Sequence, residues 1–175
     1  YLYYANTDWY DLLYKDQTLS TDHNVTIQGG SDKADFMVSG RYYGQEGLFA
    51  YNSDDYDMYN IRAKGSAQIF PWLKAENNME FSQMNYHNPL TVADGNVWYG
   101  LESEAQPMSP MFNPDGTLTM AAAYSVGDLW YGKNGTDTDR RVLRNTTSFT
   151  ASFLDKALRI KGDLTFRNTD RSEKT

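Results

Sequence analysis

The residues whose types could do chemistry are few and scattered. His23 and His87 lie far apart, one near a strand start and one near a loop start. A metal pair or a catalytic base is one reading of them, and incidental surface histidines are the better one. Asp54, Asp55 and Asp57 form an acidic cluster beside Tyr51, Tyr56 and Tyr59. Calcium takes six or more oxygens, and this run lacks the spaced Gly and terminal Glu of an EF-hand loop, which leaves a solvated hairpin tip. Asn134-Gly135-Thr136-Asp137-Thr138-Asp139 is a second oxygen-rich run that could hold calcium, although no metal site is assigned to it. Cysteine is absent, so disulfides, thiol catalysis and Cys-type zinc sites are excluded. No motif singles out a carboxylate pair for glycoside hydrolysis, and no Ser sits in a nucleophile-elbow pattern. The sequons at Asn24, Asn134 and Asn145 read most simply as β-sheet residues. The expectation is a protein with no catalytic, cofactor-binding or metal-ligating residues: not an enzyme.

What the chain offers instead is rings. Aromatics make up 15% of its 175 residues, with 14 Tyr and 4 Trp, at a mean hydropathy of only -0.69. Such a chain needs a use for aromatic side chains other than a large dry core. Membrane-barrel girdles and carbohydrate-binding surfaces are the two common solutions. The net charge of -7 argues against a nucleic-acid partner, because phosphate binding needs a basic patch. No apolar run reaches the roughly 18 residues of a membrane-crossing helix, so a membrane role would fall to strands. The start at Tyr1 and the polar stop at Asp170 to Thr175 suggest a piece of a longer chain.

The elements that would position these side chains repeat with a period of two. Tyr59, Ile61, Ala63, Gly65, Ala67 and Ile69 alternate with Asn60, Arg62, Lys64, Ser66 and Gln68. Phe36, Val38, Gly40 and Tyr42 alternate with Asp35, Met37, Ser39 and Arg41. Leu158, Ile160, Gly162, Leu164 and Phe166 alternate with Arg159, Lys161, Asp163, Thr165 and Arg167. Weaker alternation over residues 23–29, 73–82 and 143–153 brings the expected number of strands to about six, each near the 9–11 residues of a tilted membrane strand.

Connections between these runs alternate in length. Gly29 to Lys33, Phe70-Pro71-Trp72 and Asp155-Lys156-Ala157 are tight turns, whereas Gly44 to Asp55 and Tyr86 to Arg140 are long links. Outer-membrane barrels sort their connections this way, with short turns on the periplasmic side and long loops outside; a soluble sandwich has no reason to. Within the long link, Asn113-Pro114-Asp115-Gly116 is a turn signature and residues 96–104 suit a short helix. Near the start, Thr7 is placed to cap a helical turn. Residues 1–20 thus read as an irregular lead-in, 21–86 as strands in hairpins, 87–139 as a long extracellular loop and 140–170 as a further hairpin. All four would belong to one larger barrel domain.

Asn6-Thr7-Asp8-Trp9, then Asn24-Val25-Thr26-Ile27-Gln28-Gly29-Gly30, resembles the SusC/RagA-like TonB-dependent transporters of the bacterial outer membrane. The resemblance continues through Met37-Val38-Ser39-Gly40-Arg41-Tyr42-Tyr43-Gly44-Gln45-Glu46-Gly47, Tyr59-Asn60-Ile61-Arg62-Ala63 and Phe70-Pro71-Trp72-Leu73-Lys74. It covers the first ninety or so residues well, the hairpin from Arg140 to Arg167 more loosely, and the long loop little. It implies an all-β fold: about six antiparallel strands of a transmembrane β-barrel of about 22 strands with a plugged lumen. It implies TonB-dependent import of oligosaccharides or peptides, with a SusD-like surface lipoprotein as partner and TonB engaged through parts outside this chain. The expected mechanism is binding and gated passage.

Two sets of residues carry expectations on that basis. Arg41, Arg62, Lys64 and Arg159 would face the lumen, and the Ile61, Ala63, Ala67 and Ile69 face would meet lipid. Trp98, Tyr99, Trp130 and Tyr131 would either contact cargo or a lipoprotein lid, or pack within the long loop itself. The alternative from another class is a soluble or surface-attached β-sandwich that binds glycans through its aromatics. The two differ in whether the apolar face is buried by a second sheet or turned to lipid.

Overall fold

A computed structural model describes residues 4–89, 105–132, 134–154 and 157–175. Six strands form one antiparallel sheet in sequence order: β1 (Ser20–Gly30), β2 (Ala34–Glu46), β3 (Asp55–Phe70), β4 (Leu73–Pro89), β5 (Gly135–Phe153) and β6 (Leu158–Lys174). Among the described residues two helices accompany it, α1 (Trp9–Leu13) and α2 (Met120–Tyr131). The sheet is open, with β1 and β6 at its edges. This is the all-β antiparallel architecture the alternation predicts.

Register puts the apolar residues on one face. Val25, Gly40, Ile61, Phe81 and Leu143 lie in one row across β1 to β5, and Ala63 pairs with Val38 and Met79. The apolar side chains of β6 join the same face through pairs such as Thr147 with Leu164 and Phe149 with Gly162. No second sheet covers this face among the described residues: Val25, Ile27 and Leu164 are 66%, 63% and 75% exposed. A sandwich would bury these side chains; the described residues leave them exposed.

Aromatic rows bound the apolar band. At the short-turn end, Phe70, Trp72 and Phe153 stack with centroids 5.6 Å apart at each step. A register shift between Gln68 and Phe70 pairs Phe70 with Leu73 and so brings its ring to this face. Nearby, the Phe36 ring lies over its cross-strand partner Gly29, where an added Cβ would meet ring carbon at 3.0 Å. At the other end His23, Tyr42 and Tyr59 form a row, with 5.0 Å between the two tyrosine rings.

The strands run 11 to 19 residues, and all but β1 exceed the 9–11 predicted. The surplus lies beyond the His23–Tyr42–Tyr59 row, where Asp55 and Asp57 of β3, His87 of β4, and Asp137 and Asp139 of β5 occupy the same face. Alternation of polar with polar residues carries no period-two signal, so these ends read as loop in the sequence.

The buried core lies off the sheet, at its long-link end. Trp9 and Leu13 of α1, Phe49, Met111, and Ala122, Val126 and Leu129 of α2 pack together, all at most 7% exposed. Backbone bonds tie the three contributing segments: Lys15 N–H to Leu48 O, Ala50 N–H to Leu13 O, and Thr7 N–H to Pro107 O. α1 is capped by Asp8, whose side chain accepts from the Tyr10 and Asp11 amides. Thr7 is not the cap; its hydroxyl donates to Ser109 O at 2.8 Å, where it anchors the long link. α2 was not anticipated, and the helix expected at residues 96–104 lies outside the described residues.

Candidate functional site

The polar face of the sheet carries the charged side chains. Ser39, Arg62, Glu80, Arg144 and Arg167 form one row across β2 to β6, and Asn60 pairs with Arg41 and Ser82 in the next. Arg41, Arg62, Lys64 and Arg159 all lie on this face. Arg41 is held by a two-pronged bridge to Asp22, with Nε donating at 2.9 Å and Nη2 at 2.6 Å. Arg62 donates to Asn78 at 2.9 Å and pairs with Glu80 at 3.2 Å. A depression of about 450 Å³ opens between these side chains, lined also by Arg144 and Arg167. A second, of about 690 Å³, lies further toward the long-link end, beside Arg140 and Arg171.

The four ring residues separate. Trp98 and Tyr99 lie outside the described residues. Trp130 packs inward, with its ring 4.6 Å from Tyr51 and 5.2 Å from Phe112. Tyr131 is 62% exposed at the end of α2. Thr119 caps the start of that helix by accepting from the Ala122 amide at 3.2 Å, and Gly132 closes it in the left-handed region at φ 61°. A Thr cap, an alanine run and a C-terminal Gly are legible helix signals.

The oxygen-rich run does not form a calcium loop. From Gly135 it enters β5, so Asp137 and Asp139 point to one side and Thr136 and Thr138 to the other. No group of three or more His, Cys, Asp or Glu suited to a metal ion occurs among the described residues. His87 is more than an incidental surface residue: Nδ1 lies 2.6 Å from Asp137 and Nε2 lies 3.2 Å from Asn52 Oδ1. Asn52 in turn donates to Asn134 O at 3.0 Å, so the cluster fastens the β2–β3 link to the start of β5. Asp54 closes that same link by accepting from the Gly47 amide at 2.8 Å. The turn at residues 113–116 forms as predicted, with Gly116 at φ 84° and the Asn113 side chain donating to Thr117 and Leu118.

Comparison with known proteins agrees with the geometry. TonB-dependent receptor P26 of Formosa agariphila is 27% identical over 114 residues, which covers 65% of this chain and 11% of the receptor. TonB-dependent receptor P3 of the same organism is 27% identical over 129 residues, covering 71% of this chain and 12% of the receptor. The fold matches the RagAB peptide importer in its closed-closed state with a TM-score of 0.64. That match is 17% identical and covers 98% of this chain and 20% of the other. No protein-family model matches. The chain thus spans about a tenth of the receptors and a fifth of the solved chain, and the resemblance to SusC/RagA-like TonB-dependent proteins is borne out.

Proposed function

We propose that this chain is a stretch of barrel wall in an active importer of the bacterial outer membrane, powered through TonB. Its apolar face meets lipid and its polar face, with Arg41, Arg62, Lys64 and Arg159, lines the lumen. The observation that carries this is the uncovered apolar band between two aromatic rows. From Tyr59 to Ile69, at about 3.3 Å per residue, the strand covers roughly 33 Å. At the roughly 40° tilt of barrel strands this gives about 25 Å along the membrane normal, the height of an outer-membrane apolar band.

The rest follows from that orientation. The short turns after β1, β3 and β5 face the periplasm, and the packed unit of α1, the β2–β3 link and α2 stands outside. The edges β1 and β6 receive the remaining strands of the barrel, since an open edge in a membrane leaves backbone groups unpaired. Cargo is an oligosaccharide or a peptide too large for passive diffusion. A SusD-like surface lipoprotein covers the outer end, and Tyr131, exposed at the end of α2, belongs to the surface that would meet cargo or that lid. The work is binding and gated passage, without covalent chemistry.

The test places single cysteines at Ile61 and Arg62 in the whole transporter, in intact outer membranes. A water-soluble maleimide should label position 62 from the lumen and leave position 61 protected by lipid. Equal labelling would remove the assignment of faces.

A further inference from the structure

On the proposed lumen face, β5 and β6 bring like charges together twice. Arg144 lies directly opposite Arg167, and Arg140 directly opposite Arg171. Like charges across a strand pair destabilise a sheet, so such pairs need a compensating partner. Three other cations of this wall have a carboxylate partner, Arg41 with Asp22, Arg62 with Glu80, and Lys161 with Asp163, whereas Lys64 and Arg159 stand singly without a cation directly opposite. Of the four arginines in the two opposed pairs, Arg171 alone has a carboxylate partner among the described residues, Glu173 at 3.1 Å. Glu80 sits beside Arg144 in the row but gives its charge to Arg62. The chain as a whole carries -7, and the outer ends of β3 and β5 place Asp55, Asp57, Asp137 and Asp139 on the opposite face. Positive charge is therefore concentrated on the lumen side of β5 and β6 against the trend of the molecule.

We propose that the pairs Arg144–Arg167 and Arg140–Arg171 are two rungs of a binding track for the anionic groups of cargo, carboxylates or sulfates. The proposal rests on the barrel reading above and narrows the cargo to anionic solutes. A guanidinium fork matches a carboxylate or sulfate with two parallel hydrogen bonds, and two facing forks enclose one such group. The rungs stand four residues apart on the same strands, about 13 Å. Each opens onto its own depression, the inner one holding Arg144 and Arg167, the outer one Arg140 and Arg171. The outer depression is also lined by Tyr86, Asn88, Thr136 and Thr138, near the end that carries the long links. A solute entering from outside meets the upper rung first and the lower rung next. A plug carboxylate, fixed at one depth, would need only one rung.

The test uses the whole transporter that contains this segment, purified in detergent. Its binding to a labelled sulfated dextran oligosaccharide and to a labelled polyglutamate peptide is compared with a neutral dextran oligosaccharide of matched length. At low salt the anionic probes should bind about tenfold or more tighter than the neutral one, the value of one charge-assisted contact. Glutamine at both rungs (Arg140→Gln, Arg144→Gln, Arg167→Gln and Arg171→Gln together) should abolish that difference, Arg144→Gln with Arg167→Gln alone should narrow it, and the Arg144→Lys with Arg167→Lys protein should narrow it less. Where the double variant does not reach the membrane, Arg167→Gln alone should narrow the difference in the same direction. Equal binding of all three probes overturns the proposal, as does an anion preference left undiminished by these substitutions. Unchanged binding with greater protease access to the plug would assign the arginines to the plug and also overturn it. Heat-modifiable gel mobility of the parent separates the two failures: with it, only the anion track falls; without it, the barrel falls too.

Discussion

At the residue scale, each position is governed by which face of the sheet it occupies. Ala63 sits in the apolar band between Val38 and Met79, four residues from the Tyr59 ring. Arginine there should cost about 2–4 kcal/mol if the site lies near the bilayer midplane. Reversible folding of the barrel into lipid vesicles measures this, and Arg at the neighbouring Lys64 should cost little. Outside the band, Asp115 accepts from the Thr117 hydroxyl at 2.6 Å and from its amide at 3.0 Å. Those bonds, the hydroxyl first, hold its carboxyl below the usual carboxylate range. The turn therefore gains support from ionised Asp115 above the unfolded value of about 3.9, and loses it as pH falls through the lower folded value. Protection of the Thr117 amide, taken relative to its intrinsic exchange rate at each pH, should fall below about pH 4 in the parent, and Asp115→Asn should flatten that dependence.

At the element scale, the packed outer unit should behave as a small cooperative body resting on the sheet. Leu129 is 1% exposed within the cluster of Trp9, Leu13 and Val126, so Leu129→Ala should cost that unit about 2–5 kcal/mol. Limited proteolysis would show it as faster cleavage in the long link with the strands still protected; cleavage at the parent rate would mean that α2 is held by something else. This unit was the part least legible in the sequence. Six strands and their order were legible because an uncovered sheet keeps one apolar and one polar face, and the period survives along Tyr59 to Ile69. Their outer ends were not, because Asp55, Asp57, Asp137 and Asp139 break the apolar side of the alternation. Arg41 and Arg62 could be placed on the polar face by parity alone. The opposition of Arg144 to Arg167 could not, because it depends on a register across the β5–β6 hairpin that only pairing reveals. Likewise Asn52, His87 and Asp137 meet across three segments with no local signal for it.

At the scale of the whole molecule, surface area decides what the chain can be. It exposes 12370 Å², whereas a compact monomer of 20.0 kDa would expose roughly 8,700 Å². The excess is the open sheet, exposed on both faces with its edges unpaired. Water makes a poor partner for an apolar band of this size, and a lone sheet of this kind would aggregate through its edges. The proposed closure into a barrel would settle both needs at once, with lipid over the apolar face and further strands paired with β1 and β6. The native polypeptide that contains this segment should therefore be several times heavier than 20.0 kDa, fractionate with the outer membrane and migrate faster on gels before heating than after. Intact mass, membrane fractionation and paired heated and unheated gels measure these three properties. A water-soluble folded monomer of about this mass would require the apolar face to be covered from within the chain, and the importer would have to be abandoned.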